Sequence, residues 1–346
     1  MTLERVAVVA VIVFCVGLRL LMASSASDSI ALLHITGVLA QSPASPTTSS
    51  SPEIERSSAL DLLLVFHGYP QIGVPRSASA IITDEGLSNL HDVTFLRIGG
   101  ELSPDGRLIA YDNCTGSNHG IDVAEPNGSK ATRVMPLSDS QCVDIRWSPD
   151  STKLSYASGR NHALHVIDLA GKREEVIANT DGAGWHWWSP SGSEIVYERG
   201  TGKTGRLLYV TDLRGNYRQL TFARDFQPCE WAFNLVDTSA PTWSPKGDKI
   251  AFTHCGALFI ISSTGKELRQ LTSTGYASQT SALPITPVYS PRWAPDGRWI
   301  MFIGQVFVRS GEGAVLKRIS SDDNKVVNIG TLPYPGAPFS IAPLRR

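Results

Sequence analysis

Cysteines, histidines and clustered aromatic residues are the side chains of this chain best suited to chemistry. Apart from Cys15 there are four cysteines, Cys114, Cys142, Cys229 and Cys255. An even number suits a disulfide framework in an oxidising compartment. Cys114 and Cys255 stand at the same distance after Pro104 and Pro245, while Cys142 and Cys229 each precede a Trp-Ser-Pro segment. Histidine ligates metals and moves protons near neutral pH, which singles out His67, His119, His186 and His254. They are far apart in sequence and lack a short spacing such as HExxH, so no metal site is expected. His162 and His165 fall on opposite faces of a strand and cannot share an ion. Gly184-Trp-His-Trp-Trp-Ser-Pro190 offers an aromatic platform for a sugar ring or peptide, or packing for a core.

These residues must be positioned by a repeated element. Leu102-Ser-Pro-Asp-Gly-Arg-Leu-Ile-Ala-Tyr111, Trp147-Ser-Pro-Asp-Ser-Thr-Lys-Leu-Ser-Tyr156, Trp188-Ser-Pro-Ser-Gly-Ser-Glu-Ile-Val-Tyr197, Trp243-Ser-Pro-Lys-Gly-Asp-Lys-Ile-Ala-Phe252 and Trp293-Ala-Pro-Asp-Gly-Arg-Trp-Ile-Met-Phe302 are five copies of one pattern. The period is roughly 40–55 residues, the range of stacked supersecondary units. Proline presets φ, Asp or Ser bonds the local backbone, and Gly tolerates positive φ, so each copy turns one strand into the next. The second strand is apolar at consecutive positions, as in Lys249-Ile-Ala-Phe-Thr253. That pattern suits a sheet buried on both faces. A second hairpin follows in each unit, as in Leu164–Ile177 and Leu207–Leu220. One unit is a four-stranded antiparallel meander, the blade of a β-propeller.

The outer hairpin occurs six times, with turns near Gly86, Gly128, Gly171, Gly215, Gly265 and Asn324, against five inner Ser-Pro turns. The expected fold is therefore all-β, a six-bladed β-propeller over residues 54–346. One blade is shared by the two chain ends, with 337–343 pairing with a strand at about 60–66. Such closure removes open sheet edges.

The pattern Trp-Ser-Pro-Asp-Gly-basic-x-Ile-Ala-Tyr/Phe resembles the propeller repeat of the TolB family, periplasmic proteins of the Tol–Pal system. The resemblance covers roughly residues 55–346. It implies a six-bladed propeller, a fold used by scaffolds, enzymes and enzyme-appended domains alike. TolB proteins carry an α/β domain before the propeller, and no segment here fits one, so a Tol–Pal role is not expected. Some propeller polysaccharide lyases have a His-rich metal site on the face occupied here by the four histidines, which keeps an enzyme as the alternative.

Arg5 followed by the apolar run Val6–Leu18 and small residues to Ala26 reads as a signal peptide over 1–26. Cleavage as late as residue 40 and an uncleaved membrane anchor through residues 6–23 are the alternatives. Residues 27–53 are rich in Ser, Thr and Pro and read as a tether. The net charge is −1 with no basic stripe, which argues against nucleic acid as a partner. Gly200-Thr-Gly-Lys-Thr-Gly205 evokes a phosphate loop, but Tyr197 stands where its first glycine belongs. No Gly-x-Ser-x-Gly elbow is present.

Loops entering the first strand and leaving the second open on one end of a blade, so all four cysteines are expected on one face. Expected disulfides are Cys114–Cys142 and Cys229–Cys255, with four free buried thiols as the alternative. The same face carries the long segments from Ala223 to Thr242 and from Ser273 to Arg292. The first reading is an exported, extracytoplasmic binding protein or scaffold without a cofactor. It would recognise a protein, peptide or cell-envelope glycan through Trp185, His186, Trp231, Tyr276 and Tyr289. The alternatives are a lyase or hydrolase acting on polysaccharide, and a sensory ectodomain on an uncleaved anchor.

Overall fold

A computed structural model describes residues 62–68, 76–83, 86–93, 100–113, 119–138, 143–158, 161–201, 205–227, 229, 236–272, 288–308, 311–332 and 339–343. The described residues are almost entirely strands and the turns between them. The first strands are β1 (Leu62–Gly68), β2 (Arg76–Thr83) and β3 (Gly86–Val93). Then come β4 (Glu101–Leu102), β5 (Ile109–Asp112), β6 (Gly120–Ala124) and β7 (Thr132–Pro136). A third meander holds β8 (Ile145–Trp147), β9 (Lys153–Ser158), β10 (Ala163–Asp168) and β11 (Arg173–Val176). The fourth holds β12 (Ala183–Trp188), β13 (Glu194–Thr201), β14 (Gly205–Asp212) and β15 (Tyr217–Gln219). The fifth holds β16 (Val236–Trp243), β17 (Lys249–His254), β18 (Ala257–Ser262) and β19 (Arg269–Gln270). Last are β20 (Val288–Trp293), β21 (Trp299–Val308), β22 (Gly311–Ser320), β23 (Val326–Leu332) and β24 (Phe339–Pro343).

These strands make a β-propeller of four-stranded antiparallel blades. Hydrogen bonding groups them into five sheets, four of four strands and one of eight. The eight-stranded sheet joins the β12–β15 and β16–β19 meanders through a short parallel ladder, Gly205↔Val236 and Arg206↔Asp237. The leading strands neighbour one another in a closed cycle, β24 to β4, β8, β12, β16, β20 and back to β24. Closure uses both ends of the chain. β24 pairs antiparallel with β1, from Leu62↔Pro343 to Phe66↔Phe339.

The Ser-Pro turns are built alike. In the first, the Ser103 hydroxyl donates to Asp105 Oδ1 at 2.6 Å and accepts from the Leu108 amide at 3.0 Å. Ser148, Ser189 and Ser244 repeat the second contact with the amides of Lys153, Glu194 and Lys249. The fourth turn residue has positive φ, 69° at Gly106, 71° at Gly192, 76° at Gly247 and 68° at Gly297. Ser151 takes the same conformation, at 60°, where a side chain is disfavoured.

Packing follows from the apolar runs. Leu154, Ser155 and Tyr156 are buried in succession, as are Ile195, Val196 and Tyr197, and Ile250, Ala251 and Phe252. Both faces of these strands are therefore covered. The repeat's tryptophans bridge meanders: the indole N–H of Trp147 donates to the Glu101 carbonyl at 2.8 Å, and that of Trp293 to the Thr242 carbonyl at 3.2 Å.

The closing ladder generates a prediction. Deleting residues 339–346 removes β24 from the order β24-β1-β2-β3 and leaves β1 as an open sheet edge. At about 1 kcal/mol per net hydrogen bond, the loss should be roughly 3–5 kcal/mol. Thermal and urea unfolding of the truncated protein measure it, and an unchanged transition contradicts the closure.

Candidate binding site

The residue just before each repeat's first position is Glu101, Arg146, Trp187, Thr242 or Arg292. Each lies on a leading strand, and those strands neighbour one another around the ring. Glu101, Arg146, Trp187 and Arg292 converge from β4, β8, β12 and β20. Arg146 Nη1 is 3.3 Å from Glu101 Oε2, and its Nη2 is 2.8 Å from Asp144 Oδ1. Arg292 Nη2 is 3.8 Å from the same Glu101 oxygen. Both guanidinium groups stack on Trp187, with Arg146 at 5.2 Å and Arg292 at 4.5 Å from the ring centroid. Arg146 also lies 5.7 Å from the Trp185 ring. Arg146, Arg292 and Glu101 are buried, whereas Trp185 is 37% exposed.

Two cations and two carboxylates in one buried cluster nearly cancel, which is what low-dielectric surroundings demand. Burial pushes the Glu101 carboxyl above its usual range, and Arg146 and Arg292 only partly offset it. The same balance raises Asp144. Burial and the nearby Arg146 lower Arg292 to about 10, so it remains a cation at neutral pH. Asp144 Oδ2, Arg146 Nε and Arg292 Nε are buried without a hydrogen-bond partner among the described residues. Buried polar atoms are normally paired. These three are atoms that water or a ligand would satisfy.

His186 corrects the sequence expectation. It was placed on the binding surface with Trp185, but it is 1% exposed. The strand explains why. His186, Trp187 and Trp188 pair in unbroken register with Tyr197, Val196 and Ile195, so alternation puts His186 on the buried face of Trp188 and Trp185 on the other. The imidazole Nδ1 lies 3.3 Å from the Gly184 carbonyl, and Nε2 lies 2.8 Å from the Ser155 hydroxyl, which also accepts the Trp188 indole N–H at 2.8 Å. This network assigns the proton to Nδ1. His186 thus fixes β12 to β9 and supports the cluster from behind.

Of the other expected binding residues, Trp231 and Tyr276 lie outside the described residues. Tyr289 sits in β20 opposite Ile303, but its side chain is not among those described. The Cys229–Cys255 disulfide is present, with Cα atoms 5.4 Å apart. Cys114 and Cys142 lie outside the described residues. His119 is engaged by Asp112 at 2.9 Å, and Asp112 also accepts the Val143 amide at 2.6 Å, so this pair holds a loop. His165 pairs with Glu174 at 2.7 Å and stacks on Tyr156. The phosphate-loop lookalike leads into β14, a hairpin strand and not a helix.

Glu101, Asp144, Arg146 and Arg292 were missed from sequence. For Glu101, Arg146 and Arg292 the sequence shows a charge directly before the first repeat position, but that they meet one another follows only from the ring.

The histidine yields a pH prediction. Burial, reinforced by Arg146, lowers the His186 pKa from 6.5 to about 3. The unfolded chain therefore binds this proton first, and stability falls as pH drops from 6.5 toward 3. At pH 5 the loss is roughly 2 kcal/mol. Glu101 and Asp144, with raised values, act in the opposite sense. Urea unfolding at pH 7 and pH 5 should show a flatter dependence for His186→Gln than for the parent. Equal slopes contradict the assignment.

No protein-family model matches the chain. One curated relative, the Tol-Pal system protein TolB of Methylobacillus flagellatus, is 29% identical over 93 residues, covering 26% of this chain and 21% of that protein. The match thus spans about a fifth of the relative. Among solved structures, TolB from Acinetobacter baumannii superposes with a TM-score of 0.62 at 16% identity, covering 82% of this chain and 67% of that one. A putative TolB from Agrobacterium tumefaciens gives 0.54 at 13% identity, covering 84% of this chain and 100% of that one. A chain of a nidogen/laminin complex gives 0.58 at 10% identity, covering 82% and 98%. The repeats, the strand order and these likenesses agree, and the chain carries a TolB-like β-propeller.

Proposed function

We propose that this chain is an exported, non-enzymatic binding propeller that recognises a protein, peptide or cell-envelope glycan where its leading strands converge. One observation carries the reading. Trp185 is an exposed aromatic beside Arg146, and Arg146 is held in place by Glu101 and Asp144. A flat apolar surface backed by oriented charges is suited to a ligand that stacks and hydrogen-bonds at once. We read the eight-stranded sheet as two blades, which makes the propeller six-bladed. The support is that its halves repeat the four-strand order of the other sheets and share only a short ladder. An extracytoplasmic location rests on the N-terminal apolar run, the disulfide and the relative named for the Tol-Pal system.

A second reading, polysaccharide cleavage, is favoured by the two carboxyl groups with raised pKa, Glu101 and Asp144. Such groups suit acid–base work. Against it, both carboxylates already face Arg146.

Peptide and glycan arrays screened with the full chain test the proposal. Trp185→Ala should weaken any specific hit at least tenfold, since an aromatic anchor contributes about 2 kcal/mol, with the melting transition kept. A specific ligand indifferent to Trp185→Ala overturns the assignment of the site. Turnover of a glycan that is lost in Glu101→Gln establishes the second reading instead.

A further inference from the structure

Arg199 stands apart from the other arginines that are wholly or partly buried. Arg133, Arg146, Arg218 and Arg292 each face a carboxylate. Arg199 is half-buried on β13, and among the described residues it makes no ion pair. Glu198, the residue before it, alternates to the opposite face of β13 and pairs with Arg206 at 3.7 Å.

A row of tyrosines lies beside Arg199 instead. Tyr197 on β13 is opposite Tyr209 on β14, and Tyr217 on β15 is opposite Thr211, two residues beyond Tyr209. Alternation therefore puts the three rings and Arg199 on one face of the sheet. Ring centroids are 5.8 Å apart from Tyr197 to Tyr209 and 6.2 Å from Tyr209 to Tyr217. The guanidinium carbon of Arg199 lies 5.8 Å from the centroids of both Tyr209 and Tyr217, so two π faces attract its charge. The row runs from core to solvent: Tyr197 and Tyr209 are buried, and Tyr217 is 51% exposed.

This corner holds donors and lacks acceptors. The guanidinium carries five N–H donors and accepts nothing. The Tyr197 hydroxyl is buried without a hydrogen-bond partner among the described residues. Burial pushes its pKa up to about 12, with the Arg199 charge acting against this, so it stays neutral. One flank of the Arg199 stem is bare. Gly182, with φ of 79°, lies beside it, and a Cβ there would sit 3.7 Å from Arg199 Cγ.

We propose that Arg199, with Tyr209 and Tyr217, forms a site for one carboxylate group borne on a flat ligand. The guanidinium fork matches a carboxylate edge through two parallel N–H···O bonds. The half-exposed Tyr217 ring offers a surface on which the rest of the ligand stacks. One guanidinium balances one negative charge. A carboxylate thus suits the half-buried corner better than a phosphate, whose second charge would lack a partner. None of these residues belongs to the axial cluster, so the site is additional to the one proposed at Trp185.

The test uses the full chain and benzoate as the probe, a carboxylate on a flat ring, with ligand-observed NMR and calorimetry at pH 7. Benzoate should bind saturably, with a Kd on the order of millimolar for so small a ligand. Arg199→Gln should weaken this binding at least tenfold. Arg199→Lys, which keeps the charge and loses the fork, should weaken it less. Tyr217→Ala should weaken it about threefold. Benzamide, of the same shape without the charge, should bind at least tenfold more weakly, and inorganic phosphate more weakly than benzoate. Arg224→Gln, which removes an exposed arginine stacked on Phe222, should bind benzoate as the parent does. Benzoate that fails to bind, or that binds a folded Arg199→Gln, Arg199→Lys or Tyr217→Ala protein as tightly as the parent, overturns the proposal. So does benzamide that matches benzoate, phosphate that surpasses it, or loss of binding in Arg224→Gln.

Discussion

Two-faced burial is the constraint on which the rest of this structure depends. A meander with apolar side chains on both sides of its sheet is unstable until a neighbour covers each side. A linear stack would leave its last sheets uncovered. A ring does not, and the β24–β1 ladder is where this chain completes it. The tryptophan N–H groups then find acceptors only across the gap between meanders, as Trp147 does at Glu101. Trp243 shows the limit of the pattern, since its indole nitrogen is buried without a partner among the described residues.

The ring also creates its own electrostatic problem. Four leading strands bring a side chain into one cluster, where Glu101, Arg146 and Arg292 are buried. Glu101, Asp144, Arg146 and Arg292 resolve it by mutual neutralisation, with Trp187 lying against both guanidinium groups. Removing one member would leave the others as uncompensated buried charge, which is far more damaging than replacing the set. The cluster is thus rigid by necessity, and Trp185 inherits that rigidity through its contact with Arg146.

Much of the architecture was legible because its signals are local. Ser-Pro-x-Gly names a turn through φ and short hydrogen bonds, and the surplus of outer over inner hairpins implied a shared sheet. The pairing found, 62–66 with 339–343, falls within the segments expected. Cys229–Cys255 could be anticipated because loop polarity places both on one face. The axial cluster was not legible, because convergence of Glu101 with Arg292 depends on closure and not on anything near either residue. His186 was misplaced for a smaller reason. Alternation along β12 already sets His186 opposite Trp185, but which of the two faces meets solvent depends on the neighbouring strands, and no residue type announces that.

The geometry of the closing ladder has a mechanical consequence. Leu62 lies opposite Pro343, so the chain enters β1 and leaves β24 at the same end of the pair. Tension applied between the segment leading into Leu62 and the one leaving Pro343 loads the ladder at that end alone. The strands would then peel apart pair by pair, as a zipper does, without the whole set of bonds resisting in shear. The ladder that closes the ring is thus, along this one direction, easy to open by pulling.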